Sequence, residues 1–139
     1  MQTLRNGLRN LTYNMKKEFD RHNAGIKGED AAVKFYTDAG YQIIARNWRW
    51  SNKGEIDIIS YNEKNDILSI CEVKTRSAHS ILRPCEAVNI KKQNKIRMLT
   101  TVFLTKNKVF TKYKVRFDVI EVILEGDTLI ELNFIENAF

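Results

Sequence analysis

The sequence predicts a mixed α/β domain with the element order αβββαββ and an N-terminal extension. Three observations carry that expectation. A length of 139 residues suits one domain and is short for two. Turn-bounded apolar blocks of strand length recur along the chain, on both sides of a segment with helical periodicity. That segment falls between the third and fourth strands, so the two are parallel if they are neighbours, whereas the first three strands can follow one another as an antiparallel meander.

Residues 1–23 read as the extension: Leu4, Leu8 and Leu11 recur at helical spacing, but Asn6-Gly7 interrupts them, which leaves a docking helix or a mobile arm. The domain itself is expected over 24–139. A helix opens at Gly25, buries Ala31, Ala32, Phe35, Tyr36 and Ala39, and stops at Gly40. The first strand runs from Tyr41 to Trp48 around Ile43 and Ile44. The polar turn Ser51-Asn52-Lys53-Gly54 leads to a second strand, Glu55 to Tyr61, and the loop Asn62 to Asp66 to a third, Ile67 to Lys74. Thr75 to Asn89 is irregular and holds the one proline, Pro84. Asn89 is a good N-cap for a second helix, whose stripe is Ile96, Leu99, Val102 and Phe103, with Lys92 one turn before Ile96. Val115 to Leu124 and Leu129 to Ile135 supply the last two strands, joined by Glu125-Gly126-Asp127.

Composition narrows the classes. At 43% hydrophobic residues the chain is not disordered throughout, and no window approaches eighteen uninterrupted apolar residues, so no membrane span is expected. The N-terminus lacks the apolar core of a signal peptide. Cys71 and Cys85 form neither a disulfide framework nor a zinc-ligand spacing, which fits a reducing, cytoplasmic setting. The net charge of +6 is unevenly spread. From Lys91 to Arg116 every charged residue is basic, and from Phe117 onward every one is acidic. That asymmetry suggests a basic face aimed at an anion, with a solvated lysine-rich surface as the bland alternative.

Charges also stand inside apolar strands. Asp57 lies among the isoleucines of the second strand, and alternation puts Leu68, Ile70, Glu72 and Lys74 on one face of the third. If Asn62 faces Ile67 across the hairpin, Asp57 comes opposite Glu72, with Cβ atoms about 4.5–5.5 Å apart. Two carboxylates that close repel unless a cation or a shared proton intervenes. Such an oxygen pair suits Mg²⁺ or Mn²⁺, which acidifies a bound water and neutralises phosphoryl charge, with Lys74 in reach of the same space. The alternative is an Asp–Lys–Glu ion-pair cluster at a sheet end.

The motifs Gly28-Glu29-Asp30-Ala31-Ala32, Gly40-Tyr41, Arg46-Asn47-Trp48-Arg49, Gly54-Glu55-Ile56-Asp57, Glu72-Val73-Lys74-Thr75-Arg76, Arg116-Phe117-Asp118 and Asn137-Ala138-Phe139 together resemble the YraN family. The likeness covers about Gly25 to Phe139. It implies a restriction-endonuclease-like PD-(D/E)XK fold, a mixed central sheet with flanking helices, similar in arrangement to archaeal Holliday-junction resolvases. In that pattern Asp57 matches the motif aspartate, Glu72 the second acid, Lys74 the lysine of Glu-x-Lys, and Glu29 the helix acid that completes the metal site. Ile56 stands where a proline often precedes the aspartate. A Glu early in a helix is equally explained by the macrodipole.

The expected function is therefore hydrolysis of phosphodiester bonds in DNA, branched or structured DNA included, with Asp57, Glu72 and Glu29 holding Mg²⁺ or Mn²⁺ and Lys74 assisting catalysis. Arg76, Lys91, Lys92 and Lys95, within the basic stretch and the loop before it, would contact nucleic-acid backbone. The resolvase likeness suggests a two-fold homodimer. The alternatives are a catalytically silent nucleic-acid-binding or partner-binding module with the same fold, and a purely structural domain. Trp48 and Trp50 would either stack on bases or fill a core edge, His79 reads as an exposed loop residue, Cys71 as a core residue, and Asp118 as a structural partner of a nearby base.

Overall fold

The computed structural model describes residues 2–80 and 88–139. The elements are α1 (Gln2–Asp38), β1 (Gln42–Arg49), β2 (Glu55–Asn62), β3 (Ile67–Ser77), a 3-10 turn (Ala78–Ser80), α2 (Ile90–Lys106), a second 3-10 turn (Lys108–Lys112), β4 (Lys114–Glu125) and β5 (Thr128–Ile135). The five strands form one sheet in the order β1-β2-β3-β4-β5. β3 and β4 are parallel and the other pairs antiparallel, so the expected meander and helical crossover are both present. Pro84 and Cys85 lie outside the described residues.

The sheet is packed on both faces. On one, Ala32 and Tyr36 of α1 bury Ile58, Cys71, Ile120, Val122 and Leu124. On the other, Ile96, Leu99 and Phe103 of α2 bury Ile56, Ile59, Leu68, Ile70 and Val119. Each of these large aliphatic side chains contributes about 1.5–3 kcal/mol by leaving water. Val102, expected in the α2 stripe, is only half-buried, and Thr100 is buried in the same turn region, its hydroxyl donating to the Ile96 carbonyl at 2.8 Å.

Two helix ends follow their residues closely. Asn89 caps α2 by accepting the Lys92 amide at 2.9 Å. Gly40, at φ +86°, lets α1 close in a Schellman turn, its amide on the Thr37 carbonyl and that of Tyr41 on Tyr36. The other end of α1 differs from the expectation. No helix begins at Gly25: α1 is continuous from Gln2, about 55 Å of helix. Gly28 is inside it because α1 lies against β3 there. A Cβ at Gly28 would fall 1.9 Å from Thr75 Oγ1. Glycine weakens a helix interior by about 1 kcal/mol, but here it is what permits the contact.

Candidate active site

The site grows out of a divergence of β2 and β3. Asn62 pairs with Ile67 as the hairpin length predicts, and the ladder continues to Ile58 opposite Cys71. Beyond that pair the carboxylate of Asp57 takes over, Oδ2 accepting the Val73 amide at 2.7 Å. Glu72, next along β3, sends Oε1 to within 3.3 Å of Lys92 Nζ at the start of α2. Its other oxygen, Oε2, is buried with no hydrogen-bond partner among the described residues.

Asp57 therefore sits in a contest of charges. Burial, then the neighbouring Glu72 carboxylate, pushes its pKa up from 3.8 to about 7. The Val73 amide and the Lys92 ammonium pull the other way, and Glu29 adds to the rise. An isolated buried anion with two like charges nearby is costly, and a bound cation or proton relieves it.

These groups open into a cleft of about 1070 Å³ whose lining includes Glu29, Glu55, Asp57, Glu72, Arg76 and Lys92. Glu29 reaches the cleft from α1, and β1 holds it: Asn47 Nδ2 donates to Oε2 at 2.8 Å, and Arg46, which also binds Asp30 at 2.8 Å, lies 3.7 Å away. Asn47 turns there with φ +49°, a conformation asparagine tolerates better than most residues. Among the described residues, no three His, Cys, Asp or Glu side chains converge as a ready metal cage. The donors present are instead the Asp57–Glu72 pair with the orphaned Oε2, and Glu29 one interaction removed. That set fits Mg²⁺, which commonly takes one or two protein carboxylates and keeps several waters.

The other expected residues are dispersed. Lys74 is half-buried on β3, two residues beyond Glu72 and level with Glu121 of β4. Arg76 lines the cleft but is committed to Glu121 at 2.7 Å, both largely buried. Lys91 is exposed on the first turn of α2, and Lys95 lays its methylenes over Gly54, where a Cβ would come 2.9 Å from Cδ. The basic stretch from Lys91 to Arg116 is not one face. Lys106, Lys108, Lys112 and Lys114 sit toward the opposite end of the sheet, where Lys114 pairs with Ile67, about 16 Å along β3 from Glu72. Arg116 is turned inward onto Asp118.

Trp48 fills a core edge against Phe103, Trp50 is exposed, His79 is exposed and Cys71 is buried. Asp118 is the structural acid it was expected to be, bound by Arg116 on both oxygens at 2.8 Å and by Tyr36, Ser69 and the Asn137 amide. Sequence reasoning missed the α1 residues of the cleft, Lys16, Lys17 and Arg21. The only signal for them was their spacing ahead of Gly28.

Fold and site together define a mixed α/β domain with a carboxylate pair in a cleft lined by α1, the strands and Lys92 of α2. The sequence family described as "Uncharacterised protein family UPF0102" matches residues 28–122. The chain belongs to that family, which bears out the resemblance to YraN. A UPF0102 protein of Acetivibrio thermocellus is 44% identical over 124 residues, covering 86% of this chain and 93% of the relative. Those of Desulforamulus reducens and Clostridium acetobutylicum are 40% and 44% identical over 119 and 118 residues, covering 85% and 84% of this chain and 96% and 93% of the relatives. No helix among the described residues is long and apolar enough to cross a membrane.

Proposed function

We propose that this protein is a divalent-metal-dependent nuclease of the restriction-endonuclease-like PD-(D/E)XK type, acting on DNA. The observation that carries the reading is the Asp57–Glu72 pair: two neighbouring carboxylates at a cleft, one held near neutrality in pKa and the other with a buried oxygen that no group among the described residues satisfies. The parallel β3–β4 crossover and the placing of Asp57 and Glu72 on adjacent strands support the fold assignment.

Asp57 and Glu72 would hold Mg²⁺ or Mn²⁺, with Glu29 as the nearest further carboxylate. When bound, the ion supplies positive charge at a phosphoryl oxygen and acidifies water. The chain's own residues do the rest. The Val73 amide fixes the orientation of Asp57. Lys92 lies 3.3 Å from Glu72 Oε1 and holds that side of the carboxylate. Lys74 is the group on β3 that would steady the attacking water or the developing charge. The first turn of α2 carries Lys91 and Lys92 and no acid, so the positive end of its dipole adds to their attraction for phosphate.

Incubation with branched, flapped, single-stranded and duplex DNA in Mg²⁺ or Mn²⁺ is expected to give cleavage that EDTA abolishes. Asp57→Ala and Lys74→Ala should each lower it by about a hundredfold or more. Metal-dependent cleavage unchanged by both substitutions removes the assignment. A second reading, a binding module that does not cleave, draws on Lys92 standing beside Glu72 and on β1 holding Glu29. It predicts salt-sensitive DNA retention in EDTA with no turnover in either metal.

A further inference from the structure

The cleft has a wall that the expected DNA contacts do not include. The buried stripe of α1 runs through Gly28, Ala32 and Tyr36, one residue per turn. Followed toward the N-terminus, the same side of the helix presents Ala24 and Gly25, then Asp20 and Arg21, then Lys16 and Lys17, and all six line the cleft with Asp57 and Glu72. Residues 14–18 and 20–22 are exposed. The wall is thus graded. It touches β3 at Gly28, is bare at Ala24 and Gly25, and becomes basic farther out, with Asp20 as its one acid.

At its strand end the cleft mixes the acids Glu29, Glu55, Asp57 and Glu72 with Arg76, paired to Glu121, and Lys92, paired to Glu72. Its outer wall on α1 carries Lys16, Lys17 and Arg21 against Asp20 alone. From Arg21 to Gly28 is about 10 Å of helix and from Lys17 about 16 Å, roughly three to five steps of a nucleic-acid strand at about 3.4 Å each. Ala24 and Gly25 add almost no side chain, so the space between the cations and the carboxylates stays open. With Lys106 to Lys114 at the other end of the sheet, α2 brings mainly its first turns to the site, and α1 supplies cations on the facing wall.

We infer that the outer part of α1 is a nucleic-acid-binding arm, in which Lys16, Lys17 and Arg21 hold the sugar–phosphate backbone of the strand whose reacting phosphate lies at Asp57 and Glu72. The inference rests on the nuclease reading and extends it to residues 1–23, which the sequence alone sets apart from the domain. Phosphate contacts of this kind position a strand without reading its sequence.

The test is fluorescence anisotropy with labelled duplex and flapped DNA in EDTA, across about 50–200 mM KCl. The arm variant is Lys16→Ala/Lys17→Ala/Arg21→Ala. The sites are exposed and alanine is the best helix former, so the helix is expected to persist. The control, Lys106→Ala/Lys108→Ala/Lys114→Ala, removes the same charge from the far end of the sheet. The arm variant is expected to bind about tenfold or more weakly, with the slope of log K against log salt shallower by about two to three. The control should stay within about twofold of wild type, and Mn²⁺ is expected to raise the melting temperature of wild type and of both variants alike. Wild-type affinity and slope in the arm variant, or equal losses in arm and control, overturn the arm assignment and leave the nuclease reading standing. A wild-type protein that retains no DNA at any salt overturns both.

Discussion

Asp57 and Asp118 are both aspartates set within strands of one sheet, and they are treated in opposite ways. Asp118 is fully buried and saturated: a bidentate Arg116, the Tyr36 and Ser69 hydroxyls and the Asn137 amide take its two oxygens. Asp57 has the Val73 amide as its hydrogen-bond donor, and around it Lys92 is set against Glu72 and Glu29. A buried charge that stabilises a fold is given partners. One left beside its own kind is tolerated for something the site receives. The contrast supports the proposed roles of the two acids without reference to family.

The largest expected effect is on the saturated side. Asp118→Ala leaves the largely buried Arg116 with only the exposed Glu136 as a counter-charge and strands three further donors, so it should destabilise the protein by about 3–5 kcal/mol, read from urea unfolding at pH 7. A loss near zero would mean that saturation does not mark structural importance here.

Asp57→Asn should do the reverse. Folding raises the Asp57 pKa from 3.8 to about 7. Between those values the native state holds a proton that the unfolded chain has released, so this group's contribution to stability falls as pH climbs through the window. Asparagine keeps an acceptor for Val73 and cannot ionise. The variant is therefore expected to match wild type near pH 4 and to exceed it by about 1–3 kcal/mol at pH 8, measured by unfolding at both pH values. Equal stabilities at pH 8 would place Asp57 with the ordinary surface carboxylates.

Lys92→Met gives the smallest effect. It removes a cation that lowers the Asp57 pKa and pairs Glu72. Because Lys92 is partly exposed, about 1 kcal/mol of stability at pH 8 should be lost. Carboxylate NMR should show Asp57 titrating above its wild-type midpoint. A midpoint that stays put or falls means the contest of charges is misassigned.

Much of this arrangement is legible in the residues alone. The four-residue hairpin loop sets the Asn62–Ile67 register, and that register brings Asp57 and Glu72 to adjacent positions. Asn89 and Gly40 mark their helix ends because their side-chain and backbone chemistry acts locally. What escapes the sequence depends on distant partners. Gly25 and Gly28 read as a helix start, since the contact with Thr75 that justifies Gly28 is made forty-odd residues on. The basic stretch reads as one face because charge counts ignore that α2 carries the chain from one end of the sheet to the other. Nothing near Glu72 in the chain announces Lys92, and nothing near Glu29 announces Asn47. The aspartate pair itself shows the limit: one strand position yields a carboxylate, but its role follows from the neighbours that folding supplies.

The proposed function stands or falls with the Asp57–Glu72 pair as a divalent-cation site. Calorimetric titration of Mn²⁺ at pH 8 into wild type, Asp57→Asn and Glu72→Gln tests it most directly. The account predicts one Mn²⁺ per wild-type chain, binding that weakens as pH falls below about 7 because the ion competes with the proton on Asp57, and loss of that binding in both variants. Identical titrations in all three proteins, or no uptake by wild type, would contradict it.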